Sequence, residues 1–252
     1  MIDSHCHLDY CDEPAQAASS LRGLISVGTN LERNERTLEL VDRLANTWAA
    51  VGVHPNNASD ASDHVVREGV ERQANHHKVV AIGETGFDTY WKKESLSSQR
   101  EAFLWHAELA NELDKPLILH VRDGQNDEKA SLEAARLLEQ VAYPKGILHC
   151  FNGHVRLLET GLELGWMVSF AGNLTYKSAA SIRAAAQSVP EDRLLVETDS
   201  PYLAPIPKRG RSNRPAFVHY TAAFLAELRG VSVAAIEAIT DQNAIRIYGL
   251  PL

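Results

Sequence analysis

Eight short segments rich in aliphatic and β-branched residues recur along this chain, each followed by a longer stretch of helical character. The predicted strands are Ile2–His7, Gly23–Gly28, Trp48–Val53, Val79–Glu84, Leu117–Val121, Gly146–Phe151, Trp166–Phe170 and Leu194–Thr198. Several are continuous apolar runs, such as Val79-Val80-Ala81-Ile82, the pattern of parallel strands buried on both faces. Intervening segments such as Ser97–Leu113 and Ser131–Val141 are rich in the helix formers Ala, Leu, Glu and Arg. Connections this long imply parallel pairing with crossovers. Eight repeats of the unit favour closure into a single α/β barrel, (β/α)8, over an open doubly wound sheet. A Gly-x-Gly-x-x-Gly turn after the first strand would favour the open, dinucleotide-binding alternative, and the sequence has none. Two further helical patterns, Ala216–Leu228 and Val233–Tyr248, are expected to pack outside the barrel. No linker-like composition divides the chain, so residues 1–252 read as one domain.

The formal net charge of -8 argues against a protein that coats nucleic acid through general basicity. It leaves room for an enzyme acting on a polyanion, because bound cations can supply the attraction locally. The amino terminus lacks the basic and apolar pattern of a secretory signal, and no apolar run is long enough to span a bilayer. Cys6, Cys11 and Cys150 form an odd set without framework spacing, as suits a reducing compartment. The expectation is a cytoplasmic protein with no membrane association and no obligate protein partner.

Metal-binding residue types fall where the strands end. His5 and His7 close the first strand, His54 follows the third, and Glu84 ends the fourth. His120 ends the fifth, His149 lies near the end of the sixth, and Asp199 follows the eighth. In a parallel barrel these positions share the C-terminal rim, where active sites sit. His5 and His7 are two apart on a strand and face one side, leaving Cys6 as a packing residue on the other. A lone His120 would read as a hydrogen-bonded core histidine; a whole set at strand ends reads as a metal site. Imidazole and carboxylate together suit Zn, Mn, Fe or Co, whereas Mg favours carboxylates and water. A carboxylate placed midway round the ring, as Glu84 is, can bridge two cations about 3.5–4 Å apart. Two such cations lower the pKa of a shared water and neutralise phosphate charge. The remaining histidines, His64, His76, His77, His106, His154 and His219, read as structural or exposed.

At this point the chain resembles a known family, the TatD-like metal-dependent deoxyribonucleases of the amidohydrolase superfamily. The resemblance rests on Asp3-Ser4-His5-Cys6-His7-Leu8, Gly52-Val53-His54-Pro55 and Ala81-Ile82-Gly83-Glu84-Thr85-Gly86-Phe87-Asp88. It continues through Gln99 and Phe103, Pro116–Asp123, Leu148–Gly153 and Glu197-Thr198-Asp199-Ser200-Pro201-Tyr202-Leu203-Ala204-Pro205. The resemblance implies a first cation on His5, His7, Glu84 and Asp199 and a second on Glu84, His120 and His149. It also implies that Asp199 accepts the proton of the attacking water and that His54 contacts the substrate phosphate. The implied cofactors are two divalent cations (Mg, Mn or Zn), and the implied substrate is DNA, as single strands or ends.

One departure stands out. Where the family commonly has Arg-Asn-Glu-Pro, this chain has Ser212-Asn213-Arg214-Pro215, so Arg214 replaces a glutamate. The surrounding loop, Lys208–Arg214, is basic, and Arg211 and Arg214 are candidate backbone-phosphate contacts. Arg122 is a candidate phosphate clamp, against a salt bridge to Asp123. Tyr90 and Trp91 could stack a base or simply pack their loop. Two other functions stay open: hydrolysis of an amide or ester, such as removal of an acyl group from tRNA, and a non-catalytic metal-containing interaction protein.

Overall fold

The computed structural model describes residues 1–91 and 93–252. The strands are β1 (Ile2–Cys6), β2 (Gly23–Val27), β3 (Thr47–Val51), β4 (Val79–Asp88), β5 (Leu117–Arg122), β6 (Gly146–Leu148), β7 (Met167–Phe170) and β8 (Leu194–Val196). The helices are α1 (Pro14–Ser19), α2 (Leu31–Arg43), α3 (His64–Ala74), α4 (Leu96–Glu112), α5 (Lys129–Val141), α6 (Val155–Glu163), α7 (Ala180–Ser188), α8 (Val218–Arg229) and α9 (Val233–Tyr248). The eight strands form one sheet in sequence order, and every neighbouring pair is parallel. This is the expected (β/α)8 barrel, nearly closed. The seam between β1 and β8 is stitched by Ser4 Oγ donating to Val196 O (3.0 Å) and Asp199 N to His5 O (3.0 Å). Thr198 adds N and Oγ1 donors to the buried Asp3 carboxylate at 2.9 and 2.6 Å.

Strand alternation sorts the apolar residues into two clusters. Ile25, Val27, Ala50, Ala81, Ile118, Ile147, Met167 and Leu195 fill the barrel interior. Leu24, Ala49, Val51, Ile82, Leu117, Leu119, Leu148, Val168, Leu194 and Val196 join the cluster that packs against the surrounding helices. α8 contributes Ala222 and Leu225 to this outer layer, as expected. α9 starts outside, where Ile236 joins the outer cluster beside α8, and its C-terminal end turns in beneath the barrel. Its Ala244 and Tyr248 join the interior cluster, Tyr248 Oη donates to Ser4 O (2.9 Å), and Asn243 Nδ2 donates to Leu194 O (2.9 Å). The interior needs an apolar lid at the end remote from the rim, and α9 supplies it.

β1 and β4 each carry one extra residue relative to their neighbours. In β1, Asp3 pairs with Leu24 but Cys6 pairs with Ser26, so three steps oppose two. In β4, Ile82 pairs with Leu117 but Thr85 pairs with Leu119, again three steps against two. A bulge of this kind flips the faces of every later side chain. β4 also runs past Glu84 to Asp88, because Thr85–Asp88 stay paired with Leu119–Arg122. Glu84 therefore lies in a bulge within the strand rather than at its end. Gly83 and Gly86 bracket it at φ +131° and +137°, where a Cβ would meet Ile118 O at 2.7 Å and His120 O at 2.1 Å. Only glycine fits such backbone approaches.

His106 of α4 is fully buried, as a structural histidine. Its Nδ1 donates to Ala102 O (2.7 Å) and its Nε2 accepts from Val53 N (2.9 Å), next to His54. Burial holds its pKa down at about 4. With an unfolded value near 6.5, the unfolded chain binds the proton more tightly, so stability is present above about pH 6.5 and drains away as pH falls toward 4. The loss expected from this one group is about 3 kcal/mol. His106→Gln, which keeps an acceptor for Val53 N–H, should show a shallower fall in unfolding midpoint between pH 7 and 4. Parallel pH curves for the two proteins would count against this assignment.

Candidate metal centre

The barrel's parity explains why the predicted ligands meet. His120 and His149 continue the interior-facing positions of Ile118 and Ile147, and Asp199 continues that of Leu195. His5, His7 and Glu84 lie on the opposite parity to Ile2 and Ala81, and the two bulges bring them inward. The same flip sends Cys6 to the outer cluster, where its Sγ donates to Ile25 O. Bulges beside functional sites commonly re-aim side chains in this way.

Glu84 stands at the centre. Its Oε1 lies 3.6 Å from His7 Nε2 and 3.8 Å from His54 Nε2. Its Oε2 lies 2.9 Å from His149 Nε2, 3.6 Å from His120 Nδ1 and 3.7 Å from His5 Nε2. Asp199 Oδ1 lies 3.4 Å from His7 Nε2 and 3.8 Å from His5 Nε2. Most of these separations are too long for hydrogen bonds. They match the distance between neighbouring donors on one cation, about 3.4 Å for tetrahedral nitrogen and oxygen ligands near 2.1 Å. Both nitrogens of His5 and Oε2 of Glu84 are buried without a hydrogen-bond partner. Orphaned polar atoms at this density call for an ion.

Hydrogen bonds on the far side of each ring show which nitrogen is free. His7 Nδ1 donates to Val27 O (2.9 Å) and His149 Nδ1 to Glu197 Oε1 (3.1 Å), leaving each Nε2 lone pair facing inward. His120 turns the other way, with Nε2 3.4 Å from Asp88 Oδ2 and Nδ1 toward Glu84. His54 is different: its Nδ1 accepts from Asn56 N (3.0 Å), so the proton sits on the Nε2 that faces the centre. His54 is grouped by distance with Glu84 and His120, yet this tautomer turns an N–H rather than a lone pair toward the centre.

Charge is distributed to suit cations. Burial opposes ionisation of Glu84, but His54, His120 and His149 outweigh it and hold the carboxyl well below its usual range. Burial likewise opposes charge on His7, and Asp199 with Glu84 outweighs it, placing the imidazole at about 9 when those carboxylates face no cation, so a cation would displace the Nε2 proton. Burial lowers His54 to about 3, consistent with a neutral donor. Asp199 sits at φ +55°, a left-handed conformation that Asp tolerates better than most residues.

Two carboxylates escaped the sequence reading. Glu197 is wholly buried, accepting from His149 Nδ1 and from Cys150 N (2.7 Å). Asp88 faces His120 with one oxygen and accepts from Tyr90 N and Trp91 N, both 2.9 Å, with the other. Carboxylate–histidine pairs of this kind fix the ring and raise its basicity. Alternation from Asp199 was the available signal for Glu197, and alternation from Glu84 would reach Asp88 had the strand been extended that far. Glu197→Gln should weaken divalent-metal affinity by roughly 10–100-fold in calorimetric titration while leaving the fold intact. Unaltered affinity would make Glu197 a packing residue.

The centre opens into a cleft of about 770 Å³ lined by His54, Arg122, Lys93, Tyr10, Trp91 and Tyr202, among others. Arg122 stacks its guanidinium over Tyr90 (4.1 Å) and Trp91 (5.4 Å), and among the described residues it forms no ion pair with Asp123. Asp123 instead accepts from Ser131 N (3.0 Å). Arg211 and Arg214 are exposed on the last loop and do not line this cleft; Arg214 borders a neighbouring groove with Cys11 and Glu13. Asn213 anchors that loop, its Nδ2 donating to Thr198 O (2.9 Å) and Tyr202 O (2.6 Å). His76 pairs with Asp42 (3.4 Å), away from the centre. All three cysteines are free, and no described helix is long and apolar enough to cross a membrane.

A barrel of this kind, with imidazoles and carboxylates converging at one end, defines a metal-dependent hydrolase. The model for TatD-related DNases matches residues 2–249, and the chain belongs to that family. It is 39% identical to the "Uncharacterized metal-dependent hydrolase YcfH" of Escherichia coli (strain K12), over 98% of this chain and 95% of that protein. It is 32% identical to the "3'-5' ssDNA/RNA exonuclease TatD" of Klebsiella pneumoniae, over 99% of this chain and 95% of that one. Among solved structures, the TatD homologue YjjV of Escherichia coli K12 superposes with a TM-score of 0.90 at 27% identity, covering 100% of this chain and 98% of that one.

Proposed function

We propose that this chain is a phosphodiesterase acting on DNA, as single strands or from strand ends, with two divalent cations (Mg, Mn or Zn) at its centre. The observation that carries the reading is Glu84, whose Oε1 faces His7 and whose Oε2 faces His149 and His120, with His5 3.7 Å from that second oxygen. His5, His7, Glu84 and Asp199 would hold one cation, and Glu84, His120 and His149 the other. Such a pair supplies a water of lowered pKa and offsets the charge of a phosphate. Asp199, partly open to the cleft, holds a carboxylate oxygen that would accept the proton of an attacking water. His54 donates its Nε2–H to a phosphate oxygen, and Arg122 adds a fixed positive charge at the cleft wall. Arg211 and Arg214 lie further out, where the reading gives them backbone phosphates beyond the cleft. The Klebsiella relative's name supports a nucleic-acid substrate and extends it to RNA.

Hydrolysis of an ester or amide, including removal of an acyl group from tRNA, would use the same first contacts. The carboxylate at the bridging position favours the phosphodiester reading. A side-by-side assay of end-labelled single-stranded DNA, RNA and aminoacyl-tRNA, with the chain stripped of metal and reloaded, tests it. Shortening of the labelled DNA that vanishes with chelation and returns with cation is expected. Deacylation without strand cleavage would overturn the reading.

A further inference from the structure

The four exposed aromatic side chains among the described residues are Tyr10 (40%), Tyr90 (47%), Trp91 (56%) and Tyr202 (52%); Tyr10, Trp91 and Tyr202 line the metal cleft, and Tyr90 stands beside it against Arg122. From this placement we infer that the mouth is a stacking subsite for unpaired nucleobases on either side of the bound phosphate. The inference rests on the phosphodiesterase reading above and names what that site grips.

Tyr90 and Trp91 follow β4, Tyr202 follows β8, and Tyr10 follows β1, so the two pairs rise from opposite sides of the ring. Each side is tied to the centre. Tyr10 and Tyr202 both stand edge-on to His7, with ring centroids 6.1 Å from it. The Tyr90–Trp91 loop hangs from Asp88, whose other oxygen faces His120. The rings are also braced. Arg33, itself paired with Asp9 at 2.8 Å, lies 4.0 Å from the Tyr10 ring, and Arg122 lies 4.1 Å from that of Tyr90. A ring braced on one face loses little freedom when a base stacks on its open face.

Electrostatics points the same way. Among the described residues lining the cleft, Lys93 and Arg122 are the basic side chains, against Glu84, Asp88 and Asp199. Attraction to the backbone inside the cleft is therefore weak beyond the cations, and uncharged contact has to supply much of the grip. Aromatic faces do this for any base, provided the base is not already stacked in a duplex. Recognition is then tolerant of sequence and selective for unpaired strands.

Trp91 provides its own reporter, since Trp48, Trp105 and Trp166 are 8%, 7% and 0% exposed. In stopped-flow mixing with the metal-loaded chain, oligothymidylate should quench tryptophan emission, and an abasic strand of equal length should not. By anisotropy of labelled strands, the thymidine strand should bind about tenfold more tightly than the abasic one. Trp91→Phe should keep that preference and lose the quench; Trp91→Ala and Tyr90→Ala should each lose most of the preference. Equal affinity of the wild type for both strands, or quenching that persists in Trp91→Phe, would overturn the subsite. Hydrolysis of methyl p-nitrophenyl phosphate by the wild type with manganese separates the two levels. Hydrolysis with equal strand affinities sinks the stacking subsite alone, whereas no hydrolysis sinks the phosphodiesterase reading and the subsite with it.

Discussion

Glu84→Gln is expected to give a folded barrel that has lost most of its divalent metal and on the order of 10³-fold or more of its hydrolysis. The reason lies in the two faces of the carboxylate. Oε1 lies with His7 and Oε2 with His149, His120 and His5, so a single charged group serves both halves of the centre. Glutamine matches its shape but offers one ligand oxygen and an amide N–H pair that repels cations. Five histidines then face one another without the charge that reconciles them. Metal content by elemental analysis, read beside turnover, checks this. Full metal content with wild-type turnover would remove the bridging role.

Asp199→Asn should behave differently. The amide oxygen still offers a ligand on the side of His5 and His7, so much of the metal should remain. The proton acceptor is gone, and kcat should fall by roughly 10²–10⁴-fold with KM little altered. Contrast between the two variants matters more than either alone: Glu84→Gln loses metal and rate together, Asp199→Asn loses rate while keeping metal. A near wild-type kcat in Asp199→Asn would pass the proton-acceptor role to another group. Loss of all metal in that variant would make Asp199 chiefly a ligand.

Much of this molecule was legible from the chain alone. All eight strands were found to within a few residues, because buried parallel strands leave continuous apolar runs between helical stretches. The candidate ligands were legible because their residue types fall where those runs stop. Helix α9 packs outside as expected, but its periodic apolar face does not say that its last turns, with Ala244 and Tyr248, close the barrel interior from below. Asp88 and Glu197 are not legible as site residues, because only the folded barrel brings them against His120 and His149.

What the amino-acid order determined by itself was the repeat, the strand ends and the chemistry of the donors, all properties of local pattern. What only the tertiary structure decided was the direction in which those donors point. Ile2 and Ala81 face the interior, so simple alternation along β1 and β4 would turn His5, His7 and Glu84 out among the helices. One extra residue in each strand reverses this. A bulge is a mismatch between neighbours, a property of pairing that neither strand carries alone.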